Sequence, residues 1–365
     1  MNETTDYTRF NPQRHYGCRI NDQVIWAGYR ALILQNELLQ IVVLLDKGAE
    51  IVQFLYKPQD VDFLWHSEKR LRDPRLFVPT GGTQISPFFD RWSGGWFEVL
   101  PNGGTACTYK GADLGFFAET INLPCDYRIL EDTPEKVCVA MWVHTYRTPF
   151  LLHKTLTLVS GKPHLYIQEK VTNTGREEMD FMWGHHPVVG APFLDENCLL
   201  FAPPCKVEIF HDEDGPDYRM GLFQEGEWPI IKDRHGNPLD LRIIPPPTGK
   251  TMDNCYLKDF KEGWIAVNNP TQGVGFGLVW DPAVFRYIWI WQALGGGIGY
   301  PWFGRTYNLG IEPWTSYPCA GLVEAVNRGT DLRLASSASL DAWLTAIVFT
   351  DKEVVNGINE NGDIL

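Results

Sequence analysis

The sequence predicts an all-β fold, because apolar and polar residues alternate with a period of two along many short segments. Turn signals rich in Gly, Pro and Asn separate these segments, and stretches with a helical apolar period are short and few. In chain order, the predicted strands are 137–144, 152–159, 164–171, 273–279, 285–291 and 343–350. The predicted turns are 161–163, 173–175, 233–238 and 268–273.

The domain organisation predicted from the sequence is a single domain over residues 1–365, with 1–25 as a candidate N-terminal arm. All-β sandwiches often exceed 200 residues as one domain, so the length does not require two. The three prolines at 245–247 are the best candidate for a linker, but strand-like segments continue on both sides of them. We find no internal repeat of fixed period.

Charge and hydropathy argue against nucleic acid and membrane partners. The net charge is -13 and no run of Lys or Arg is present, so the sequence has no basic surface for phosphate backbones or anionic lipid. The longest apolar stretches, such as 41–45, are too short to span a bilayer, and residues 1–19 lack the apolar region of a signal peptide. We therefore expect a cytoplasmic protein, either a monomer or a homodimer.

The cysteine and aromatic contents bear on the kind of site to expect. Eight cysteines occur without any C-x-x-C pair, a pattern that fits neither a disulfide framework nor a zinc site, so we expect reduced and mostly buried thiols. Aromatic residues make up 13% of the chain, with 14 Trp. Most of these rings are expected in the core, although aromatic faces also form the usual platform for a sugar ring.

The first candidate site segment is 94–104, which combines glycines with Trp96, Glu98 and Asn102. Glycines allow positive φ and a close approach of the backbone to a ligand, while the three side chains offer stacking and hydrogen bonds. A long turn between two strands explains the same residues equally well, and the sequence leaves both interpretations open.

The second candidate segment is 183–194, which contains His185 and His186. Adjacent residues of an extended strand point to opposite faces, so only one of the two histidines can face a given pocket. The pair is therefore not expected to bind one metal ion together.

The third candidate segment runs from 286 to 315 and contains Glu312. Its neighbours Ile311, Pro313 and Trp314 are expected to desolvate the carboxyl group and raise its pKa towards the range of a general base. The alternative is a framework carboxylate paired with Arg305 or Arg286.

Together the three segments, in this order and spacing, resemble the aldose 1-epimerases, or galactose mutarotase-like proteins. The likeness extends from 45–51 through the three segments to the C-terminal strands. It implies a large β-sandwich of the supersandwich type. His186, followed by Gly190 and Pro192, resembles the catalytic histidine of that family, and Glu312 in 310–313 is similar to its catalytic glutamate. Asp253 in 252–256 resembles its substrate-binding aspartate.

One segment departs from the family pattern. Relatives often carry His-Gly-Glu downstream of the Pro-Asn-Gly segment, whereas this chain reads Phe-Phe-Ala-Glu at 116–119. Phe117 thus stands in place of a histidine that helps to hold the sugar. The change removes a polar contact and adds an aromatic face, so the resemblance leaves the identity of the sugar open.

The resemblance implies an aldose 1-epimerase that interconverts the α and β anomers of a small carbohydrate without a cofactor or a metal. Glu312 would take the proton of the anomeric hydroxyl, and protonated His186 would donate to the ring oxygen. The candidate substrate contacts are Asp253, Gln292, Arg305, Arg91, Trp96, Asn102, Phe117, Glu119 and Trp291, with Trp314 as a further stacking surface.

Two other functions stay open at this point. One is a non-catalytic sugar-binding protein, because a shared fold does not establish chemistry. The other is a carbohydrate-cleaving enzyme, which needs a second carboxylate beside Glu312, and Asp253 or Glu98 are the candidates.

Overall fold

The structure is a computed structural model that describes residues 14–76, 85–210 and 215–365. Residues 1–13 of the candidate N-terminal arm lie outside the described residues, whereas the last part of that arm belongs to the first strand, Arg19–Trp26. No helix among the described residues is long and apolar enough to cross a membrane.

The described part of the chain forms short strands and few helices. The strands before residue 135 are β1 Arg19–Trp26, β2 Tyr29–Gln35, β3 Leu39–Leu44, β4 Glu50–Tyr56, β5 Val61–Asp62, β6 Trp96–Val99, β7 Cys107–Tyr109, β8 Ala112–Leu114 and β9 Asp126–Asp132. Those from there to residue 245 are β10 Lys136–His144, β11 Phe150–Val159, β12 His164–Asn173, β13 Met179–Phe181, β14 Gly184–Gly190, β15 Leu199–Phe201, β16 Lys206–Glu208, β17 Glu225–Glu227, β18 Ile230–Lys232 and β19 Pro238–Asp240. The remaining strands are β20 Thr251–Lys258, β21 Trp264–Asn269, β22 Val274–Trp280, β23 Tyr287–Leu294, β24 Tyr307–Trp314, β25 Leu332–Leu334 and β26 Ser339–Thr350. The helices are α1 Ser86–Arg91 and α2 Leu322–Arg328, with 3₁₀ turns at Lys57–Gln59, Pro74–Leu76, Thr120–Asn122 and Pro247–Gly249.

Two antiparallel sheets contain most of these strands. The larger, 12-stranded sheet has the order β1-β2-β3-β4-β6-β14-β24-β23-β20-β16-β17, with β5 paired to β4. The 8-stranded sheet has the order β15-β21-β22-β26-β12-β11-β10-β9. The prediction of an all-β fold is confirmed, and each of the six predicted strands coincides with or overlaps an observed one, from β10 to β26.

The main core lies between the two sheets, and strand β24 shows how the alternation builds it. Leu309 and Ile311 of β24 belong to the core that also takes in residues of the smaller sheet, such as Leu156. The intervening residues of β24 point to the other face of the large sheet, where Trp314 joins a second, largely aromatic cluster. Around β24 the large sheet is therefore buried on both faces, and aromatic side chains cover its outer face there.

The cysteines are all free thiols. Cys107 and Cys319 are half-buried, and the other six are buried.

Candidate active site

A row of side chains on the outer face of the large sheet brings His186 and Glu312 together. The register pairs Phe97 of β6 with His186 of β14, and Glu312 of β24 with Trp289 of β23. The pairing of β14 with β24 places His186 opposite Glu312. Residues directly opposite one another on a sheet face are close enough to interact, so the fold itself forms this pair, with an aromatic residue on each side.

The His186–Glu312 pair is buried and incompletely hydrogen-bonded. Nε2 of His186 lies 3.3 Å from Oε1 of Glu312, and the two residues are only 5% and 1% exposed. Trp314 donates a hydrogen bond from Nε1 to Oε2 of Glu312 at 3.0 Å. Among the described residues, Nδ1 of His186 has no hydrogen-bond partner. The imidazole stacks on Phe97 at 4.4 Å and 17° between ring planes, which fixes its orientation.

Burial disfavours the charged form of both members of the pair. It lowers the pKa of His186 to about 3. It also raises the pKa of Glu312 well above its ordinary value, and the hydrogen bond from Trp314 offsets only part of this rise. Both shifts favour the uncharged form of each group, a protonated Glu312 beside a neutral imidazole.

Two glycines make room for this arrangement. A Cβ at Gly184 would lie 2.1 Å from the indole of Trp314, so the glycine lets that ring lie across β14 and reach Glu312. A Cβ at Gly310 would lie 2.5 Å from Oε1 of Glu312 itself. Both positions need glycine because a ring or a carboxylate occupies the space that a side chain would take.

The pair lies at a cavity of about 220 Å³. The cavity is lined by Phe88, Phe89, Trp92, Phe116, Phe117, His186, Tyr218, Met252, Asp253, Asn254, Trp289, Trp291, Trp302, Glu312 and Cys319. Of the predicted site residues, the structure thus brings together His186, Glu312, Asp253, Phe117 and Trp291. A cavity with a buried titratable pair is the expected place for an active site.

Aromatic rings form most of the cavity wall. Trp291 lies 5.0 Å from Trp302 and 5.8 Å from Trp92, measured between ring centroids. Phe88, on α1, lies 5.4 Å from Trp92 and 5.3 Å from Phe117. Helix α1 and the loop before β24 therefore complete a continuous aromatic wall that the sheet alone does not provide.

Asp253 borders the cavity, but its carboxylate is already occupied. Arg219 donates to it from Nε at 2.5 Å and from its backbone N–H at 2.8 Å, and the backbone N–H of Met220 donates at 3.2 Å. Gln292 accepts a hydrogen bond from the same guanidinium and does not line the cavity. Asp253 of β20 and Gln292 of β23 are paired in the sheet. Asp253 lies on the same face of β20 as Cys255, which belongs to the main core.

The two predicted arginine contacts lie outside this cavity. Arg305 lines a smaller neighbouring pocket of about 60 Å³ and contacts Glu68 at 3.2 Å. Arg91 hydrogen-bonds to Tyr29 and lies close to Glu50.

Three further predicted substrate contacts are hydrogen-bonded to other groups of the protein outside the cavity. Trp96 faces the interior between the sheets and donates from Nε1 to Nδ1 of His185. The Asn102 amide bonds to backbone groups of the surrounding loops, including a contact at 2.7 Å with the N–H of Leu322. The Glu119 carboxylate accepts hydrogen bonds from three consecutive backbone N–H groups at 146–148.

The opposite face of β14 carries a different, fully buried polar cluster. Nε2 of His185 lies 2.9 Å from Glu169, and Lys154 contacts Glu98 at 2.6 Å and Glu169 at 3.6 Å. Trp183 donates from its indole to Glu98. Glu98, Glu169 and His185 are close enough to share a metal ion, but the ammonium group of Lys154 already supplies a cation between the two carboxylates.

Several residues of the site were not predicted from the sequence. Phe97 could have been, because it alternates with Trp96 within the first candidate segment and must point to the other face. Asn254, next to Asp253, could have been found by the same argument. Trp92, Trp302 and Arg219 come from segments without a strand pattern, and the sequence contains no signal for them.

Comparison with known proteins places the chain in a family. Residues 26–220 match the family model described as "Domain of unknown function (DUF4432)". The chain belongs to this family. A search of curated proteins found no match.

Solved structures share the fold of this DUF4432 member. A Klebsiella pneumoniae protein provisionally named an aldose 1-epimerase is 15% identical, with a TM-score of 0.68 over 92% of this chain and 83% of that one. A galactose mutarotase-like protein of Clostridium acetobutylicum is 13% identical, with a TM-score of 0.59 over 92% and 99% of the two chains. A galactose mutarotase related enzyme of Lactobacillus acidophilus is 14% identical, with a TM-score of 0.58 over 88% and 98%. The predicted galactose mutarotase-like β-sandwich is thereby confirmed.

Proposed function

We propose that this protein is an aldose 1-epimerase in which His186 and Glu312 form the acid-base pair. The observation that carries the proposal is the buried contact of 3.3 Å between these side chains at the cavity. The fold likeness to galactose mutarotase-like proteins supports the same reaction. A pair of groups that holds one proton in a desolvated site is suited to moving protons without net charge change.

The reaction needs one group that accepts a proton and one that donates a proton. The anomeric hydroxyl loses its proton while the ring oxygen gains one, the bond from the anomeric carbon to the ring oxygen breaks, and a carbonyl forms at that carbon. Rotation about the neighbouring carbon–carbon bond then presents the other face of the carbonyl. Closure reverses both proton transfers and gives the other anomer. Each transfer contributes about 10²- to 10⁴-fold to the rate.

The proton on the pair determines which residue acts first as the acid. In the neutral arrangement favoured by burial, Glu312 donates to the ring oxygen and neutral His186 accepts the hydroxyl proton. The resemblance implies the opposite order, which starts from the ion pair. The two arrangements hold the same number of protons and differ only in which residue carries the shared one, so ring opening converts one into the other and closure restores the first.

The remaining parts of the proposal concern the cofactor, the ligand, the location and the assembly. Proton transfer alone completes the reaction, so it requires neither a metal nor an organic cofactor. We propose a small carbohydrate as the ligand, a cytoplasmic location, a single domain over 1–365 and a monomeric or homodimeric state.

A carbohydrate-cleaving reaction is less well supported by the positions of the carboxylates. It needs a second carboxyl group across the scissile bond from Glu312. Glu98 lies on the opposite face of the sheet with Lys154, and Asp253 is held by Arg219. Neither is placed to act with Glu312.

The proposal is tested by NMR exchange spectroscopy on equilibrated reducing sugars, which measures the rate of interconversion of the two anomers. The wild-type protein should accelerate exchange above the uncatalysed rate. Glu312→Gln, which keeps the shape but removes the titrating group, should reduce the acceleration at least about 100-fold. Thermal unfolding of the same samples establishes that the variant is folded.

A matched control uses a histidine outside the cavity. His144 is exposed at the end of β10, and His144→Asn should leave the exchange rate unchanged. Equal acceleration by wild type and Glu312→Gln would overturn the assignment of the pair. Binding of the sugars without acceleration by the wild type would favour a non-catalytic sugar-binding protein.

A further inference from the structure

The cavity offers few polar groups to a ligand. Eight of its described lining residues are Phe or Trp, and no Lys or Arg occurs among the lining residues in the described part of the chain. The rings contact each other from Phe88 through Trp92 to Trp302, so the wall between them is continuous. A hydroxyl group that faces such a wall loses its hydrogen bonds to water and gains none.

Some of the polar residues that border the cavity are already bonded to other groups of the protein. In the described part of the chain, the Asp253 carboxylate accepts hydrogen bonds from Arg219 and Met220. The Asn254 amide donates to Tyr256 at 3.3 Å. His186 and Glu312 are needed at the anomeric centre. Apart from the acid-base pair and the Trp indoles, Asp253, Asn254 and Tyr218 are the oxygen- or nitrogen-bearing side chains of the described lining, against eight Phe and Trp side chains, so polar contacts to the other hydroxyl groups of a sugar are few.

Among the described aromatic residues that line the cavity, Phe117 has the ring nearest to that of His186. Its ring lies 5.3 Å from the imidazole of His186 with an angle of 87° between ring planes. It also lies 6.2 Å from Trp314, which bonds to Glu312. A sugar whose anomeric centre reaches the pair must therefore place a neighbouring part of its ring against Phe117.

The backbone around Phe117 holds that ring in place. Phe117 has a φ of +49°, a region in which non-glycine residues are uncommon. Its N–H donates to the carbonyl of Gly104 at 3.1 Å. Two residues later, the Glu119 carboxylate accepts hydrogen bonds from Thr148 and its neighbours. An unusual backbone conformation held at a site by such contacts points to a selected role for the side chain.

We propose that the substrate is a reducing deoxy sugar, which presents a methyl or methylene group, in place of a hydroxyl, to Phe117. This inference rests on the proposed function, because it concerns the sugar whose anomers the pair interconverts. Phe117 acts as the residue that determines specificity. Without that hydroxyl, no unpaired polar group of the sugar faces the aromatic wall. The methyl or methylene carbon packs against the ring of Phe117 instead.

The test compares sugars that differ only in one hydroxyl. The pairs are D-fucose with D-galactose, 6-deoxy-D-glucose with D-glucose, L-rhamnose with L-mannose, and 2-deoxy-D-glucose with D-glucose. NMR exchange gives kcat/KM for each member, with the uncatalysed rate subtracted. For at least one pair, the deoxy sugar should be preferred about 10- to 100-fold.

Two substitutions at one position sharpen the comparison. Phe117→His introduces a hydrogen-bonding group and should reduce the preference for the deoxy sugar about 10-fold. Phe117→Leu keeps the wall apolar and should retain the preference of the wild type. Thermal unfolding reports whether each variant is folded, and the wild-type ratios test the inference without either variant.

The outcomes distinguish failure of the deoxy-sugar inference from failure of the proposed function. Acceleration of exchange with equal or greater kcat/KM for the fully hydroxylated member of every pair would overturn the inference and leave the proposed function standing. No acceleration with any sugar would overturn the proposed function, and the inference with it. A deoxy preference that Phe117→His leaves unchanged would overturn the role of Phe117.

Discussion

His185 and His186 are consecutive residues of β14, both buried, and burial lowers the pKa of each to about 3. Their hydrogen bonding differs. On one face, His185 has a partner at each ring nitrogen, Glu169 at 2.9 Å and the Trp96 indole at 3.3 Å. On the other face, His186 has Glu312 at 3.3 Å and, among the described residues, no partner at Nδ1.

The two histidines show that a shifted pKa does not by itself mark a reactive group. Desolvation shifts both histidines alike, because the large sheet is covered on both faces. What separates them is whether the remaining polar atoms are satisfied and whether a cavity adjoins them. Both ring nitrogens of His185 have partners in a closed polar cluster, as expected for a structural network, whereas the outer pair is open to a ligand.

The largest effect on stability is expected from Lys154→Met. Burial alone would lower the pKa of Lys154, but Glu98 and Glu169 raise it. The ammonium group therefore interacts strongly with both carboxylates. Removing it leaves two buried acids without a cation, which should lower the free energy of unfolding by about 3 to 5 kcal/mol. Urea unfolding at pH 7 measures this change.

The control for that experiment is an exposed ion pair on the adjacent strand. Lys170 contacts Asp341 at 3.1 Å, with side chains 47% and 72% exposed. Lys170→Met should cost about 0 to 1 kcal/mol. If both substitutions cost the same, the inner cluster is not the structural network described here.

A smaller loss is expected from Gly184→Ala, which acts on the outer pair through Trp314. The added methyl group meets the indole at 2.1 Å and must displace it, and the hydrogen bond to Glu312 is then lost. Overpacking of this kind costs about 1 to 3 kcal/mol, and anomer exchange should slow as well. Unfolding and exchange are measured together on the same variant.

Gly249→Ala is the matched control. Its added methyl group would have Pro245 at 3.6 Å as its nearest neighbour, an ordinary contact. It should change neither stability nor exchange appreciably. A harmless Gly184→Ala would show that Trp314 need not lie across β14.

The rate of anomer exchange should not decline on the acid side of neutrality. The working form of the pair holds one proton, which requires a pH above the pKa of His186, about 3, and below the raised pKa of Glu312. Activity should therefore not fall as the pH is lowered from 7 to about 5, and it should fall as the pH rises through the pKa of Glu312. A fall in the rate of anomer exchange centred near pH 6.5, the ordinary pKa of histidine, would contradict the burial of His186.

Much of the framework could be predicted from the sequence, because strand alternation is a local property. It gave five strands of the 8-stranded sheet and β23 of the larger sheet, and it showed that His185 and His186 must face opposite ways. The resemblance to aldose 1-epimerases placed His186, Glu312 and Phe117, which the structure brings to one cavity.

The partners of the polar side chains could not be predicted, because they come from distant parts of the chain. Arg219 precedes Asp253 by 34 residues and belongs to a loop, yet it determines that the carboxylate is occupied. Asn102 was predicted as a ligand contact from a turn rich in glycine, and the structure shows its amide joining that turn to Leu322. The aromatic wall from α1 depends in the same way on tertiary packing.

The most direct test of this account compares His185→Gln with His186→Gln, measuring the free energy of unfolding and the rate of anomer exchange for each. His186→Gln should lose at least about 100-fold in exchange while its stability changes by less than about 1 kcal/mol. His185→Gln should lose about 1 to 3 kcal/mol in stability, while the protein that stays folded retains exchange. Loss of exchange in His185→Gln with full exchange in His186→Gln would contradict the assignment of the two faces.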